Sequence, residues 1–274
     1  MASSMVISIE EIATSIGDGA VLAVPKDASG PAMTVTREML RRGVRSLHLV
    51  CVPVGGLQAE ILIGAGAVST IETSAVTLGE HGAAPRFTAA VREGRLRILD
   101  ATCPAIYAGL QAAEKGIPFL PLRGLIGTDV LRNRADWKLI ANPFAADDPV
   151  VALPAIKPDF ALFHAPLADR HGNVFVGVKR ELMLMAHAAK QTFVSAEEIV
   201  DGNLLDDPVR AAGVIPAIYV TAVAQAQRGA APLRFWDAYV EDEAAMVRYV
   251  SAAKTAAGFS QFLEEWLGAR RVAA

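Results

Sequence analysis

Short apolar runs alternate with amphipathic stretches along this chain. Residues 21–24 form an apolar run suited to a buried strand. Residues 31–42 follow with helical spacing: Pro31 fits a first turn, Ala32, Val35, Met39 and Leu40 share one face, and Gly43 ends the element. Residues 47–54 read as a second strand, closed by Gly55-Gly56, and 57–63 as a helix. The alternation recurs with a strand at 68–73 and a helix at 84–92, then a strand at 96–99 and a helix at 105–115. A short helix at 10–16 precedes the series. Strand, glycine turn, helix and strand in succession predict an α/β fold on an open, largely parallel sheet flanked by helices.

The second half is patterned differently. Residues 123–144 have mixed polarity and carry the turn signal Asn142-Pro143, so they are expected to run as a long surface excursion. Strands are expected at 150–153, 160–164, 192–195 and 215–222. Helices are expected at 181–189, 243–253 and 259–267. No internal repeat, low-complexity tract or linker breaks the chain. The 274 residues therefore read as a single domain spanning 1–274.

Composition narrows the picture. Hydrophobic residues make up 53% and charged residues 20%, which suits a sheet buried on both faces or a large subunit interface. A formal net charge of −3 gives no footprint for nucleic acid. The least polar stretch, 211–224, is interrupted by Gly213 and Pro216 and is too short to cross a bilayer, so no membrane association is expected. The N-terminus has neither the basic flank nor the apolar core of a secretory signal. Cys51 and Cys103 form no CxxC pair and no zinc pattern, so no metal is expected and a cytoplasmic location is the simplest reading.

Three loops hold candidate chemistry. In Pro25-Lys26-Asp27-Ala28-Ser29-Gly30-Pro31, Ser29 and Gly30 could offer backbone N–H groups to an anion, with Lys26 adding charge. An ordinary strand-to-helix turn capped by Ser29 explains the same residues. Neither nucleotide fingerprint, GxxxxGK[ST] or GxGxxG, is present. In Leu78-Gly79-Glu80-His81-Gly82, a carboxylate beside an imidazole could move protons, or the segment is a solvated loop. In His164-Ala165-Pro166-Leu167-Ala168-Asp169-Arg170-His171-Gly172-Asn173, the polar groups read better as a hydrogen-bonded turn than as metal ligands. Arg123, near Thr128-Asp129, could hold a substrate anion or an internal partner. Cys103 precedes Pro104 at a helix start, where a thiolate would be favoured, or it is simply buried. No GxSxG elbow is present, which argues against a serine hydrolase.

In order, these segments resemble the A subunit of the glutaconate-type class I coenzyme A transferases over nearly the whole chain. The resemblance rests on Asp18-Gly19 with Leu22-Ala23-Val24, Ala84-Pro85-Arg86-Phe87 and Ile117-Pro118-Phe119-Leu120-Pro121. It continues through Gly127-Thr128-Asp129, Asn142-Pro143-Phe144, Ser195-Ala196-Glu197-Glu198-Ile199-Val200, Ile215-Pro216 and Gly229-Ala230-Ala231-Pro232. The most specific match is His164-Ala165 followed by Asp169 and Gly172-Asn173.

The resemblance implies the coenzyme A transferase fold, shared with sugar-phosphate isomerases and sensor domains. It also implies a B subunit of the same fold, which supplies the glutamate that attacks the acyl-CoA thioester. Coenzyme A is then a substrate and no cofactor is permanently bound. Lys26, Ser29 and Gly30 would line the shared active site. Glu80 and His81 would lie near the acyl pocket as the candidate catalytic pair, and Arg123 would join the substrate-binding set. Asp129, Asp169 and Asn173 would shape fold and interface. The chain departs from the family where Pro25-Lys26-Asp27 replaces Gly-Gly-Phe, and where Ala231 replaces a His. Cys103 aligns with a glutamate of ring-opening relatives, so their mechanism is not implied. The alternatives are a subunit of a CoA-ester hydrolase or lyase, and a non-catalytic ligand-binding subunit of the same fold.

Overall fold

The structure, a computed structural model, describes residues 5–268. Residues 1–4 and 269–274 of the expected 1–274 span lie outside the described residues. The chain opens with α1 (Ile9–Ser15), fixed by a capping box in which the Ser8 hydroxyl accepts from Glu11 N–H and the Glu11 carboxylate accepts from Ser8 N–H. Then follow β1 (Val21–Pro25), α2 (Met33–Arg41), β2 (Leu47–Val52), α3 (Leu57–Gly64), β3 (Val68–Thr73), α4 (Pro85–Arg92), β4 (Arg97–Asp100) and α5 (Cys103–Glu114). The remainder comprises β5 (Phe119–Leu122), α6 (Asp129–Asn133), β6 (Lys138–Ile140), β7 (Val150–Pro154), β8 (Phe160–Asp169), β9 (Val174–Phe175), α7 (Arg180–Ala188), β10 (Gln191–Val200), β11 (Val214–Ile215), β12 (Ala222–Gln225), α8 (Glu243–Ala253) and α9 (Ala256–Leu267).

Seven strands run parallel in the order β12-β10-β8-β1-β2-β3-β4. The short strands β9 and β11 add antiparallel pairings beyond β8 and complete a nine-stranded mixed sheet. Successive side chains point to opposite faces, so β1 divides its residues between two cores. Leu22 and Val24 pack with Ile12, Val35 and Met39 on one face, while Ala23 joins Ile106 and Leu182 on the other. Burial on both faces accounts for the near-continuous apolar runs. A third cluster gathers Met33, Leu57, Ile61, Tyr249 and Phe259 and fastens α8 and α9 onto α2 and α3.

Two expectations need correction. Residues 123–144 are not an irregular excursion. They hold α6, capped by the Thr128 hydroxyl, and β6, which pairs antiparallel with β7; β7 also pairs with β5 in a separate three-stranded sheet. Leu120, Leu122 and Trp137 join the main core from this unit, while Phe119 and Leu139 on its strands stay exposed, and that one-sided burial leaves no continuous apolar run to mark the strands. Residues 215–222 are not one strand. Pro216 has no N–H to donate, and after Ile215 the chain makes a 3-10 turn at Ala217–Tyr219 before entering β12. Smaller shifts also occur: α2 begins at Met33 rather than Pro31, β2 stops at Val52, and β8 and β10 each extend to ten residues.

Candidate functional site

Parallel strands deliver their following loops to one edge of the sheet, which is where open α/β sheets place ligands. The loops after β1, β2 and β3 meet there. Together with Leu233, Glu241 and Met246 they enclose a cavity of ≈ 380 Å³. Lys26, Asp27 and Ala28 come from the first loop, Val54, Gly55 and Gly56 from the second, and residues 77–81 from the third.

Asp27 is the pivotal residue of this cavity. It opens a 3-10 turn (Asp27–Ser29), and both its carboxylate oxygens accept from Leu57 N–H, at 3.0 and 3.1 Å. It therefore satisfies an N-terminal donor of α3, where Gly56 supplies no side-chain cap. Burial pushes its carboxyl group up to about 7. The Leu57 N–H opposes that rise and the nearby Glu241 charge adds to it.

Lys26 reaches Glu181 of α7, with Nζ 3.3 Å from Oε1. The buried Ser29 hydroxyl donates to that same oxygen at 2.5 Å, and Ser29 N–H donates to Lys26 O at 2.9 Å. Burial works to raise the Glu181 carboxyl, but the bonds from Ser29 and Lys26 outweigh it and hold the group below its usual value. Gly30 has a φ of 85°, and a Cβ there would lie 2.3 Å from His164 O. Only glycine fits that approach. Of the three expected binding residues in this loop, Lys26 borders the cavity, while Ser29 and Gly30 are turned into the protein.

Glu80 and His81 lie together in a 3-10 turn (Gly79–His81) on the cavity wall. Glu80 is exposed, and His81 is half-buried. His81 Nε2 is 2.7 Å from Glu241 Oε1, an ion pair when the imidazole is protonated. Glu241 follows Val240 in a polar segment with no motif around it, and nothing in the sequence singled it out. Only the fold brings it to His81.

Behind the site, the buried His164 sits between two acceptor-bearing side chains. Its Nδ1 is 2.9 Å from Ser195 Oγ and its Nε2 is 2.8 Å from Glu197 Oε1. Glu197 also accepts from Arg228 N–H and Gly229 N–H, at 2.7 and 3.1 Å, which pins the 228–232 loop to the sheet. Burial tends to raise the Glu197 carboxyl, but the bonds from His164 and Arg228 leave it lowered. The resemblance had singled out His164 and Glu197 separately; their pairing depends on β8 and β10 lying side by side in register.

The remaining candidates lie elsewhere. Arg123 is exposed and bonded to Asp148, which also accepts from Asn142. Asp129 starts α6 and pairs with Arg132. Asp169 accepts from His171 N–H, Asn173 N–H, Asn173 Nδ2 and Leu204 N–H, a tightly bonded turn. Cys103 starts α5 with Sγ 3.2 Å from Ser74 Oγ. Ala231 borders a second, wider cleft of ≈ 830 Å³ between α2, α3 and the α8–α9 pair. Among the described residues no cluster of three or more His, Cys, Asp or Glu could hold a metal ion, and no helix is long and apolar enough to cross a membrane.

With this geometry in place, the chain can be set beside known proteins. The sequence model described as Coenzyme A transferase matches residues 6–226. The chain is 32% identical over 248 residues to the A subunit of glutaconate CoA-transferase from Acidaminococcus fermentans, covering 84% of this chain and 77% of that one. It is 31% identical over 244 residues to a subunit of the cholesterol ring-cleaving hydrolase of Rhodococcus jostii, covering 86% and 82%. An uncharacterized protein of Archaeoglobus fulgidus is 29% identical over 241 residues, and the match spans only 53% of its length. The crystal structure of the Acidaminococcus fermentans glutaconate enzyme superposes with a TM-score of 0.88 at 28% identity, covering 96% of this chain and 89% of the other.

Proposed function

This chain belongs to the coenzyme A transferase family, and we propose that it works as the A-type subunit of a heteromeric enzyme moving coenzyme A between an acyl-CoA and a free carboxylic acid. The observation that carries this reading is the cavity at the ends of β1, β2 and β3, formed by a chain whose backbone follows the glutaconate enzyme almost throughout.

On this reading a glutamate of the B subunit is the nucleophile. Its carboxylate attacks the thioester carbonyl and releases the CoA thiolate, leaving an acyl-glutamyl anhydride. The thiolate then attacks the glutamyl carbonyl of that anhydride, giving a glutamyl-CoA thioester and the free acid. The acceptor acid reverses both steps. The thioester's energy is retained because the acyl group never passes to water. This chain's part is to bind and orient. Lys26, held on Glu181, fixes the loop at the cavity rim. Asp27 anchors that loop on α3, and Glu80 and His81 form the opposite wall near the acyl group.

The assignment of the nucleophile is tested by incubating the two-chain complex with acyl-CoA and measuring the intact mass of each chain. The expected result is a CoA-sized adduct on the partner. An adduct on this chain instead would overturn the assignment.

A second reading has one specific observation behind it, the 31% identity to a ring-cleaving hydrolase subunit. It places a CoA-ester hydrolase or lyase on the same scaffold and differs in needing no acceptor acid.

A further inference from the structure

We infer that the cavity beside α3 selects acyl groups without a second carboxylate, and that Asp27 is the residue that sets this preference. The inference deepens the proposed transfer function and rests on it for the identity of the ligand.

Three features carry it. First, the cavity's basic side chains already have partners: Lys26 is engaged by Glu181, and the His81 imidazole by Glu241. Second, three carboxylates, those of Asp27, Glu80 and Glu241, line the same ≈ 380 Å³ space. An entering dicarboxylic acyl group would bring a further negative charge beside these groups, with no unpartnered cation among the described residues that line the cavity. Third, the natural receptor for a substrate carboxylate is already occupied. The first N–H of α3, that of Leu57, follows Gly56 of the cavity wall and is taken by Asp27, itself a lining residue. Gly56 leaves room for this internal anion and nothing else, because a Cβ there would lie 2.1 Å from Asp27 Oδ1. The chain thus places its own carboxylate where a ligand's would bind. What remains for the acyl tail is apolar surface from Leu233 and Met246.

The test compares butyryl-CoA with glutaryl-CoA on the complex with its partner chain at pH 8, where the Asp27 carboxyl group is ionised, using wild type and Asp27→Asn. The wild-type complex is expected to prefer butyryl-CoA in kcat/KM by about 100-fold. Asp27→Asn is expected to narrow that ratio by about tenfold, mainly through KM for glutaryl-CoA. Equal use of the two thioesters by wild type, or an unchanged ratio in the variant, would overturn the inference. If neither thioester is turned over, the transfer reading fails instead, and calorimetric binding of the same two thioesters decides the inference by the same ratio. Should Asp27→Asn not assemble, Asp27→Ser also removes the carboxylate while keeping an acceptor for Leu57 N–H, and carries the same expectation.

Discussion

The carboxylate of Asp27 occupies the space that a side chain on residue 56 would fill: a Cβ built on Gly56 would lie 2.1 Å from Asp27 Oδ1 and 2.3 Å from Oδ2. The two positions form one unit. Gly56→Ala is expected to destabilise the protein by about 1–3 kcal/mol, since the carboxylate is held by Leu57 N–H and cannot simply withdraw. Adding Asp27→Gly should relieve the clash and recover about 1 kcal/mol or more as coupling between the sites. Urea unfolding of the two single variants and the double variant measures it. Strict additivity would show that the two residues are independent.

The same carboxyl group makes stability depend on pH. Its ordinary value of 3.8 is pushed to about 7 in the folded state, first by burial and then by the Glu241 charge. The folded chain therefore holds this proton more tightly than the unfolded chain. That advantage is complete below pH 3.8 and is lost as pH rises through about 7. The full shift corresponds to about 4 kcal/mol. Because the residue is half-buried and borders the cavity, about 1–2 kcal/mol is expected. Wild type should lose that much relative to Asp27→Asn between pH 4 and 7 in paired urea titrations. Parallel profiles would contradict the assignment.

Glu197 accepts from His164, Arg228 N–H and Gly229 N–H at once. Glu197→Ala leaves these donors unpaired around a buried imidazole and should lower stability by about 2–4 kcal/mol. Glu197→Gln keeps one acceptor oxygen and should recover part of that loss. Thermal unfolding distinguishes the two. A Glu197→Ala protein as stable as wild type would remove the network from the account.

Much of this fold was legible in the sequence, and the exceptions have physical causes. The strands β1, β2 and β3 and their helices stood out because burial on both faces makes continuous apolar runs. In the β5-β7-β6 sheet, β7 was expected at 150–153, but β5 and β6 were hidden because only one face of the sheet is covered, so Phe119 and Leu139 remain exposed within its strands. Lys26, Glu80 and His81 stood out as candidates because they lie in loops at strand ends, and the fold lines one cavity with all three. Asp27 was read only as part of an altered motif. Its bond to Leu57 crosses thirty residues, and no local pattern announces such a pairing. Glu241 and Glu181 were missed for the same reason. Ser29 and Gly30 looked like anion-binding residues by position, yet their constraints come from Glu181 and His164 across the sheet.

Glu80 separates stability from activity. It is exposed and carries no hydrogen bond within the described residues, so Glu80→Gln should shift stability by less than about 0.5 kcal/mol. If it forms the acyl-side wall, the same change should alter kcat/KM of the assembled enzyme by about threefold or more. An unchanged kcat/KM would remove Glu80 from the site.

The most direct test of the central claim is to produce this chain with a candidate B-type subunit from a neighbouring reading frame and assay acyl-CoA consumption with and without an acceptor acid, alongside each chain alone. The account predicts turnover that requires both chains and the acceptor. Turnover without acceptor would contradict transfer and favour the hydrolase reading, and turnover by this chain alone would contradict the placement of the nucleophile in its partner.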